Sequence, residues 1–443
     1  MRRRFRWGRR GTTSALVAPA VVPQKVVRSI RLTTRGKVFL FAGAVFAIVA
    51  YGAGNNLLLL VACLLVTLTV IAALLARFRS MKLGMARTFS PSPVSATTPT
   101  TVTIDATNLA TLRSAPLYWN DTLPWRPLAT DPVHLSPLAG LGSAWGKHSR
   151  LTYELRPPRR GIFKIGPLAI AYSDPFGLAV GFMTIGGKDE LIVTPLVVEL
   201  PLSGVWLEAP DGAARLVQAS GVGNTDDLMT REYRRGDALR RVHWRASARH
   251  GELMVRQEEQ RAYPEATIVI DTREAGYRDH HGITGISKTS GAFSEAFEWS
   301  VSMLASLGVH LHREGFVVHV AETAEPQVIE LADDESRVGR EHDFLLSLAS
   351  MQLMRDSGRP AAAPAEGPVF AIVSEPDDDT VAWLLAMRRP FEIGVVFLVG
   401  ANRSVAAELS LGGWRVIPVD THTSPALAWR VLAEELGATN AGR

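Results

Sequence analysis

Between Arg231 and Arg256 the chain reads REYRRGDALRRVHWRASARHGELMVR, eight arginines with His243 and Trp244 set between two turn glycines. Guanidinium groups at this density bind carboxylates and phosphates through paired N–H donors, and an indole among them can anchor a contact. Gly236-Asp237 suits a turn and residues 240–249 suit a helix, on which Arg241, Trp244 or Arg245, and Ala248 share a side. Glu232, Asp237 and Glu252 can pair with some of these cations, so part of the block reads as an internal ionic network. The surplus could grip an acidic or phosphorylated partner. The residues expected to make that contact are Arg231, Glu232, Tyr233, Gly236, Asp237, Arg240, Arg241, His243, Trp244, Arg245 and Arg249. A competing chemistry is a hydrolase or transferase in which His243 acts as general base with Asp237 or Asp271. A stacked, hydrogen-bonded histidine is the favoured reading, because no nucleophile or set of oxyanion donors can be assigned beside it.

The same stretch resembles a bacterial family called domain of unknown function 58 (DUF58). Its signature, roughly Arg-Glu-Tyr-x-x-Gly-Asp, then an arginine shortly before a tryptophan, then Ser-Ala-Arg, is filled here by Arg231, Glu232, Tyr233, Gly236, Asp237, Arg241 and Trp244. Ser247, Ala248, Arg249 and Leu253 follow. Two further runs resemble family motifs: Arg159-Arg160-Gly161 opening a strand that ends Ile165-Gly166-Pro167, and the turn Asp174-Pro175-Phe176-Gly177-Leu178. Both are made of turn residues and read as structural, with Phe176 expected to plug the end of a β-sandwich. Relatives of the family are often encoded beside MoxR-type AAA+ ATPases and membrane transglutaminase-like proteins. That context implies an adaptor working with such an ATPase in cell-envelope or surface assembly.

The elements that must hold these residues begin with a membrane hairpin. Val38–Ala53 and Leu57–Ala76 are apolar and uncharged, and Gly54-Asn55-Asn56 suits a tight turn between them. No Asp or Glu precedes Asp105, whereas fifteen Lys and Arg do, which leaves about −10 of the net +5 for the remainder. The basicity therefore belongs to a membrane surface and argues against a nucleic-acid groove. Eleven cations precede the first run, Arg77, Arg79, Lys82 and Arg87 follow the second, and the turn has none. Both ends, and the soluble parts, are expected in the cytoplasm. The sole cysteine, Cys63, lies in the second apolar run, so no disulfide can form within the chain.

The expected organisation is multidomain: a basic tail at 1–35, the hairpin at 36–78, a β-sandwich at 82–201, the signature segment at 202–261 and an α/β unit at 262–443. Val102, Ile104 and Ala106, then Leu151, Tyr153 and Leu155, alternate with polar residues as half-buried strands do. Strands are also expected at Ile162–Ile165, Ala169–Tyr172 and Leu191–Val193. From Ala266 onward, apolar runs alternate with helical periodicity, which predicts a doubly wound sheet. Strands at Ala266–Asp271, Phe316–Ala321, Val369–Ser374, Glu392–Val399 and Arg415–Val419 are expected, with an antiparallel edge at Gln327–Leu331. Helices should cover Phe293–Leu311, Phe344–Met354, a stretch capped by Ser374 and stopped by Pro390, and Ser424–Leu436.

That order looks like a von Willebrand factor A domain, an assignment the family resemblance also implies. Such domains often hold Mg²⁺ through Asp-x-Ser-x-Ser, but here the run is Asp271-Thr272-Arg273-Glu274-Ala275. Arg273 and Ala275 stand where two oxygen ligands would be, so octahedral coordination is hard to complete. Asp271, with Glu375 or Asp377, is left as a weak metal candidate. No cofactor is expected, and a metal-dependent adhesion module is a further alternative. Asp279-His280-His281 reads as solvated surface. Gly186-Gly187-Lys188 is followed by Asp189, so it is no phosphate loop, and neither Gly-x-Ser-x-Gly nor His-Glu-x-x-His occurs. The reading is a non-enzymatic membrane-anchored scaffold.

Overall fold

The computed structural model describes residues 28–78, 82–125, 132–143, 145–201, 230–232, 244–256, 265–279, 293–329, 337–355, 367–388, 393–400 and 402–441. For residues 28, 230–232, 245–246, 250, 255–256, 337–338 and 437–441 only the backbone is described. The chain divides into two compact units. One is built from residues 1–94, 98–156 and 163–191, the other from 95–97, 157–162 and 192–443.

The first unit opens with strand β1 (Arg28–Leu32), followed by helices α1 (Thr34–Ala53) and α2 (Asn56–Phe78). Both helices are long and apolar enough to cross a membrane. Gly43 and Ala50 on α1, and Ala62, Thr69 and Ala76 on α2, recur every seventh residue and are buried. Small residues at that spacing let two backbones approach closely. A Cβ on Gly43 would come within 2.8 Å of Val66 Cγ2. Phe41, Ile48, Leu60 and Leu64 are exposed on the outer surface of the pair. Gly54, at φ 62°, ends α1, and Asn55 Oδ1 accepts the Leu57 and Leu58 amides at 3.0 and 3.2 Å to start α2.

The β strands that follow are β2 (Leu83–Ser90), β3 (Val94–Ser95), β4 (Thr100–Asn108), β5 (Leu117–Asp121), β6 (Val133–Leu135) and β7 (His148–Leu155). Then come β8 (Gly161–Ile165), β9 (Leu168–Ser173), β10 (Ala179–Ile185) and β11 (Asp189–Thr194). They form sheets of order β1-β10-β9-β5-β6, β2-β4-β7 and β3-β11-β8. Strand β1 lies inside the stretch read as a tail, and it pairs antiparallel with β10 from Arg28 opposite Met183 to Leu32 opposite Ala179. Five residues, Arg-Ser-Ile-Arg-Leu, carry too short a pattern to announce a strand; pairing with β10 makes it one.

The five-stranded sheet and the β2-β4-β7 sheet meet through Trp119 and Tyr153, whose rings are 5.9 Å apart, and through Arg87. In the sequence Arg87 counts among the cations that follow the second apolar run. It is buried, donating to both oxygens of Asp121 at 3.1 and 2.8 Å and to the Ile165 carbonyl at 3.1 Å, and it also pairs with Asp189. Tyr153 donates to Asp121 at 2.6 Å, and burial beside that carboxylate pushes its phenol well above the ordinary range.

The turn Asp174–Leu178 seats the hairpin. Asp174 accepts the Phe176 and Ala179 amides at 2.7 and 2.5 Å, and Gly177 takes φ +69°. Thr33, the N-cap of α1, donates its hydroxyl to the Gly177 carbonyl at 2.8 Å and its amide to Leu178 O at 2.9 Å. At the far end of the hairpin, Tyr172 donates to the Ala76 carbonyl at 2.9 Å. Both feet of the helical pair therefore rest on β9 and the turn that follows it. Phe176 does not plug the sandwich: it is 51% exposed, because the turn is closed by Asp174 and leaves the ring outside.

The second unit contains a two-stranded ribbon, β12 (Thr230–Glu232) with β13 (Met254–Arg256), around helix α3 (Trp244–His250). Its main body alternates β14 (Glu265–Ile270), α4 (Glu295–Arg313), β15 (Val317–Glu322), α5 (Arg337–Ser350), β16 (Val369–Val373), α6 (Asp378–Met387), β17 (Gly394–Val399), α7 (Arg403–Leu411), β18 (Arg415–Val419) and α8 (Pro425–Ala441). The sheet order is β15-β14-β16-β17-β18, and every neighbouring pair is parallel. Alternate strand residues face two apolar layers. Ile268, Ile270, Phe370 and Phe397 pack with Phe297, Phe344 and Trp429, whereas Val269, Ala371, Val396 and Leu398 pack with Val381, Leu384, Val405 and Leu409. Helices thus cover both faces, as the near-continuous apolar strands require.

Three expectations differ. Helix α7 occupies a stretch to which no element was assigned, with Asn402 Oδ1 accepting the Val405 amide at 3.3 Å as its cap. Helix α6 is capped by Asp377, which accepts the Thr380 amide at 3.0 Å, while Ser374 donates to Val399 O. Gln327–Ile329 is no strand: Glu322 takes the Gln327 and Val328 amides at 2.5 and 2.9 Å, and Ser347 Oγ takes that of Ile329 at 3.2 Å. The last two residues of that expected edge lie outside the described stretches.

The seat predicts a contrast between two glycines. A Cβ on Gly36 would lie 2.2 Å from the Leu178 carbonyl oxygen, but one on Gly52 meets nothing within 4 Å. Gly36→Ala should cost about 1–3 kcal/mol and lower the thermal midpoint of the detergent-solubilised chain. Gly52→Ala should leave it unchanged or raise it slightly.

Candidate functional site

In the signature segment, the ribbon places Arg231 opposite Val255 and Glu232 opposite Met254. Helix α3 begins at Trp244, not at residue 240, and Gly251 at φ +78° closes it. Ser247 Oγ accepts the Met254 amide at 2.8 Å, which ties the helix to β13. Trp244 is 69% exposed, and Arg249 is exposed on the same helix. Tyr233, Gly236, Asp237, Arg240, Arg241 and His243 lie outside the described residues, as do the side chains of Arg231, Glu232 and Arg245. The structure therefore places Trp244 and Arg249 together on one short helix.

A second constellation sits at the carboxyl ends of β14 and β16, where the sheet order reverses and the crevice of an α/β fold opens. Asp271 follows β14 and is wholly buried. Its Oδ1 accepts from Arg273 Nε and from the Arg273 amide, both at 3.1 Å, and from Thr323 Oγ1 at 2.5 Å; its Oδ2 accepts from Arg273 Nη2 at 3.3 Å. The same guanidinium reaches across to Asp377 at 2.9 and 3.1 Å and donates to Thr380 Oγ1. Gly276 is needed here, since a Cβ would come 2.3 Å from Asp271 Oδ2. Tyr277 donates to the Asp271 carbonyl at 2.7 Å, and its burial pushes the phenol far up.

Electrostatics follow from that geometry. Burial opposes the charge on Arg273, but the hydrogen bonds to Asp271 and Asp377 outweigh it and raise its proton affinity. The Asp377 carboxyl, hydrogen-bonded by Arg273, is lowered to about 2. This donor set does not fit a divalent ion. Both oxygens of Asp271 already serve a fixed cation, and among the described residues no group of three His, Cys, Asp or Glu is placed to hold a metal. Asp279 is likewise engaged, accepting from Ser294 Oγ and the Ala296 amide at 2.5 and 2.9 Å at the start of α4; His280 and His281 lie outside the described residues.

Beyond this plug, at the ends of β16, β17 and β18, opens a cavity of about 750 Å³ lined in part by Arg278, Glu375, Asn402, Arg403 and Asp420. Arg278 pairs with Glu375 at its mouth. Nothing in the sequence pattern marked this wall, because its residues come from four separated segments.

The Arg159-Arg160 motif holds structure together within this unit. Arg160 is buried, donates to the Leu348 and Met351 carbonyls at 3.0 and 2.9 Å, pairs with Glu298 at 2.8 Å and lies over the Phe297 ring. Arg159 lies over Phe293. Burial pushes the Glu298 carboxyl up and the Arg160 guanidinium down, against their mutual attraction.

Residues 229–292 match the family described as "Protein of unknown function DUF58". This supports the family to which the signature residues pointed. No curated protein matches the chain. Among solved structures, the CARDB domain of a Pyrococcus furiosus protein, in complex with di-metal ions, aligns at 10% identity over 26% of this chain and 90% of its own, with TM-score 0.18. The PilB minor pilin of Streptococcus sanguinis aligns at 8% identity over 74% of this chain and 92% of its own, with TM-score 0.24. Scores this low do not define a shared fold.

Removing the guanidinium would strand a buried carboxylate. Arg273→Ala should destabilise the chain by about 3–5 kcal/mol, read as a lowered unfolding midpoint. Asp377→Asn should cost about 1 kcal/mol or less, because Asp377 is half exposed. Since the folded carboxyl of Asp377 titrates near 2 against an ordinary 3.8, the stabilisation it supplies is complete above about pH 4 and is lost as pH falls toward 2. Asp377→Asn should therefore flatten the acid limb of a stability–pH curve in that window.

Proposed function

We propose that the chain is a non-enzymatic, membrane-anchored scaffold that docks a protein partner through the face around Trp244. The observation that carries this reading is the indole itself, presented to solvent on a seven-residue helix that Ser247 pins to the ribbon. Large aromatics and arginines held rigidly at a surface are the groups that dominate binding energy at protein interfaces. The family resemblance makes a MoxR-type AAA+ ATPase the partner to try first, and an acidic surface on it would complement Arg249.

The α/β unit reads as a degenerate von Willebrand factor A-like domain in which Arg273 takes the place of the cation. Its parallel sheet, with Asp271 closing the first strand at the point of reversal, supports that reading. The hairpin reads as a two-helix membrane anchor. Seating both of its feet on β9 and the turn after it supports placing both ends on the same side, and the excess of Lys and Arg around them supports the cytoplasmic side. A role in envelope or surface assembly follows from the partner.

The test is binding of a purified MoxR-type ATPase from the same cell to the full chain in mild detergent. Trp244→Ala and Arg249→Glu should each weaken association about tenfold or more, and Leu411→Ala, at an exposed position elsewhere, should not. Equal binding by all three variants, or no binding by the parent chain, would contradict the proposal.

A further inference from the structure

The lower end of α2 borders an apolar cavity of about 490 Å³, lined by Ile71, Leu74, Leu75 and Phe78 of the helix and by Leu83, Ala110, Leu112, Arg113 and Pro175 of the β unit. Its volume is in the range of ligand sites. Exposed Arg113 is part of its wall, and exposed Arg77 and Lys82 adjoin the lining residues Phe78 and Leu83 in sequence. The adjoining loops present large apolar groups to solvent, with Leu112 78%, Leu141 49% and Trp145 86% exposed.

These loops are built in place. Buried Asn108 donates through Nδ2 to the carbonyls of Leu112, Leu138 and Ala139 at 3.0, 3.3 and 3.0 Å, and its Oδ1 accepts the Ala110 amide at 2.9 Å. The Leu141 amide donates to Ala110 O at 2.9 Å, and a Cβ on Gly140 would come 2.0 Å from the Thr111 oxygen. A polar side chain spent on holding two loops together keeps their apolar tips exposed. The cavity wall is also continuous with the outward apolar face of α2, so what wets that face reaches the cavity.

We infer that the cavity binds an anionic phospholipid, with an acyl chain against Leu74, Leu75 and Phe78 and the phosphate toward Arg113, while Leu112, Leu141 and Trp145 enter the bilayer interface. This rests on the hairpin's being a membrane anchor. It adds a second point of attachment, which fixes how the β unit lies on the bilayer.

The test uses the full chain with Cys63→Ser, reconstituted in phosphatidylcholine/phosphatidylglycerol vesicles. A polarity-sensitive fluorophore is attached at Leu64→Cys in α2, at Leu112→Cys or Leu141→Cys, or at Leu411→Cys as the control. Bromine-labelled lipid should extinguish emission at position 64 and also at 112 and 141, with no loss at 411. For the probe at 112, the loss should be greater when the bromines are on phosphatidylglycerol than when they are on phosphatidylcholine. Loss at 64 without loss at 112 and 141 would overturn the inference and leave the anchor standing. No loss at 64 would overturn both. Equal loss at 112 from the two brominated lipids would overturn the anionic assignment, and loss at 411 as well would deny a local site.

Discussion

A carboxylate buried at the end of a strand needs its charge compensated, and much of the α/β unit is arranged so that Asp271 is served by a cation from its own chain. Taking an ion out of water costs several kcal/mol unless its partner and its hydrogen bonds come with it. Arg273 supplies the charge, Thr323 a further donor, and Gly276 the room to approach. Because the guanidinium also grips Asp377, it joins the end of β14 to the start of α6 across the reversal in the sheet. The place where an α/β fold usually receives a ligand is thereby closed by a side chain, and what remains open lies farther along, beside Arg278 and Arg403.

The first unit depends on a comparable joint. Thr33, Gly36 and Tyr172 fasten the helical pair to β9 and the turn after it, so a hairpin with almost no turn of its own is held at both feet. Strand β1 continues that fastening on the other side of α1. In the proposed scaffold, an anchor held this way would transmit orientation as well as attachment.

Much of this was legible. The two apolar runs, Gly54-Asn55 between them, the strand alternations and the parallel α/β core are periodic features that depend on near neighbours. A cation two residues after Asp271 was visible in the run Asp271-Thr272-Arg273, and its consequence follows once Asp377 is brought alongside. What was not legible rests on distant partners. Strand β1 exists because β10 returns to it, and Arg87 is internal because Asp121 and Asp189 surround it. Gln327–Ile329 looks like a strand until Glu322 and Ser347 take its amides. Helix α7 could have been found from Asn402 at its start and Gly412-Gly413 at its end. Of the arginine block, only Trp244 and Arg249 have described side chains among the expected contact residues.

The central claim is that the Arg273 guanidinium engages both oxygens of Asp271 and so closes this crevice to a divalent ion. Mg²⁺ titration of the purified full chain, followed by calorimetry, tests it most directly. The parent chain should give no saturable heat at millimolar ion, and Arg273→Ser, which frees Asp271 and Asp377 and adds an oxygen, should gain it. Saturable binding by the parent chain that disappears in Asp271→Asn would contradict the account.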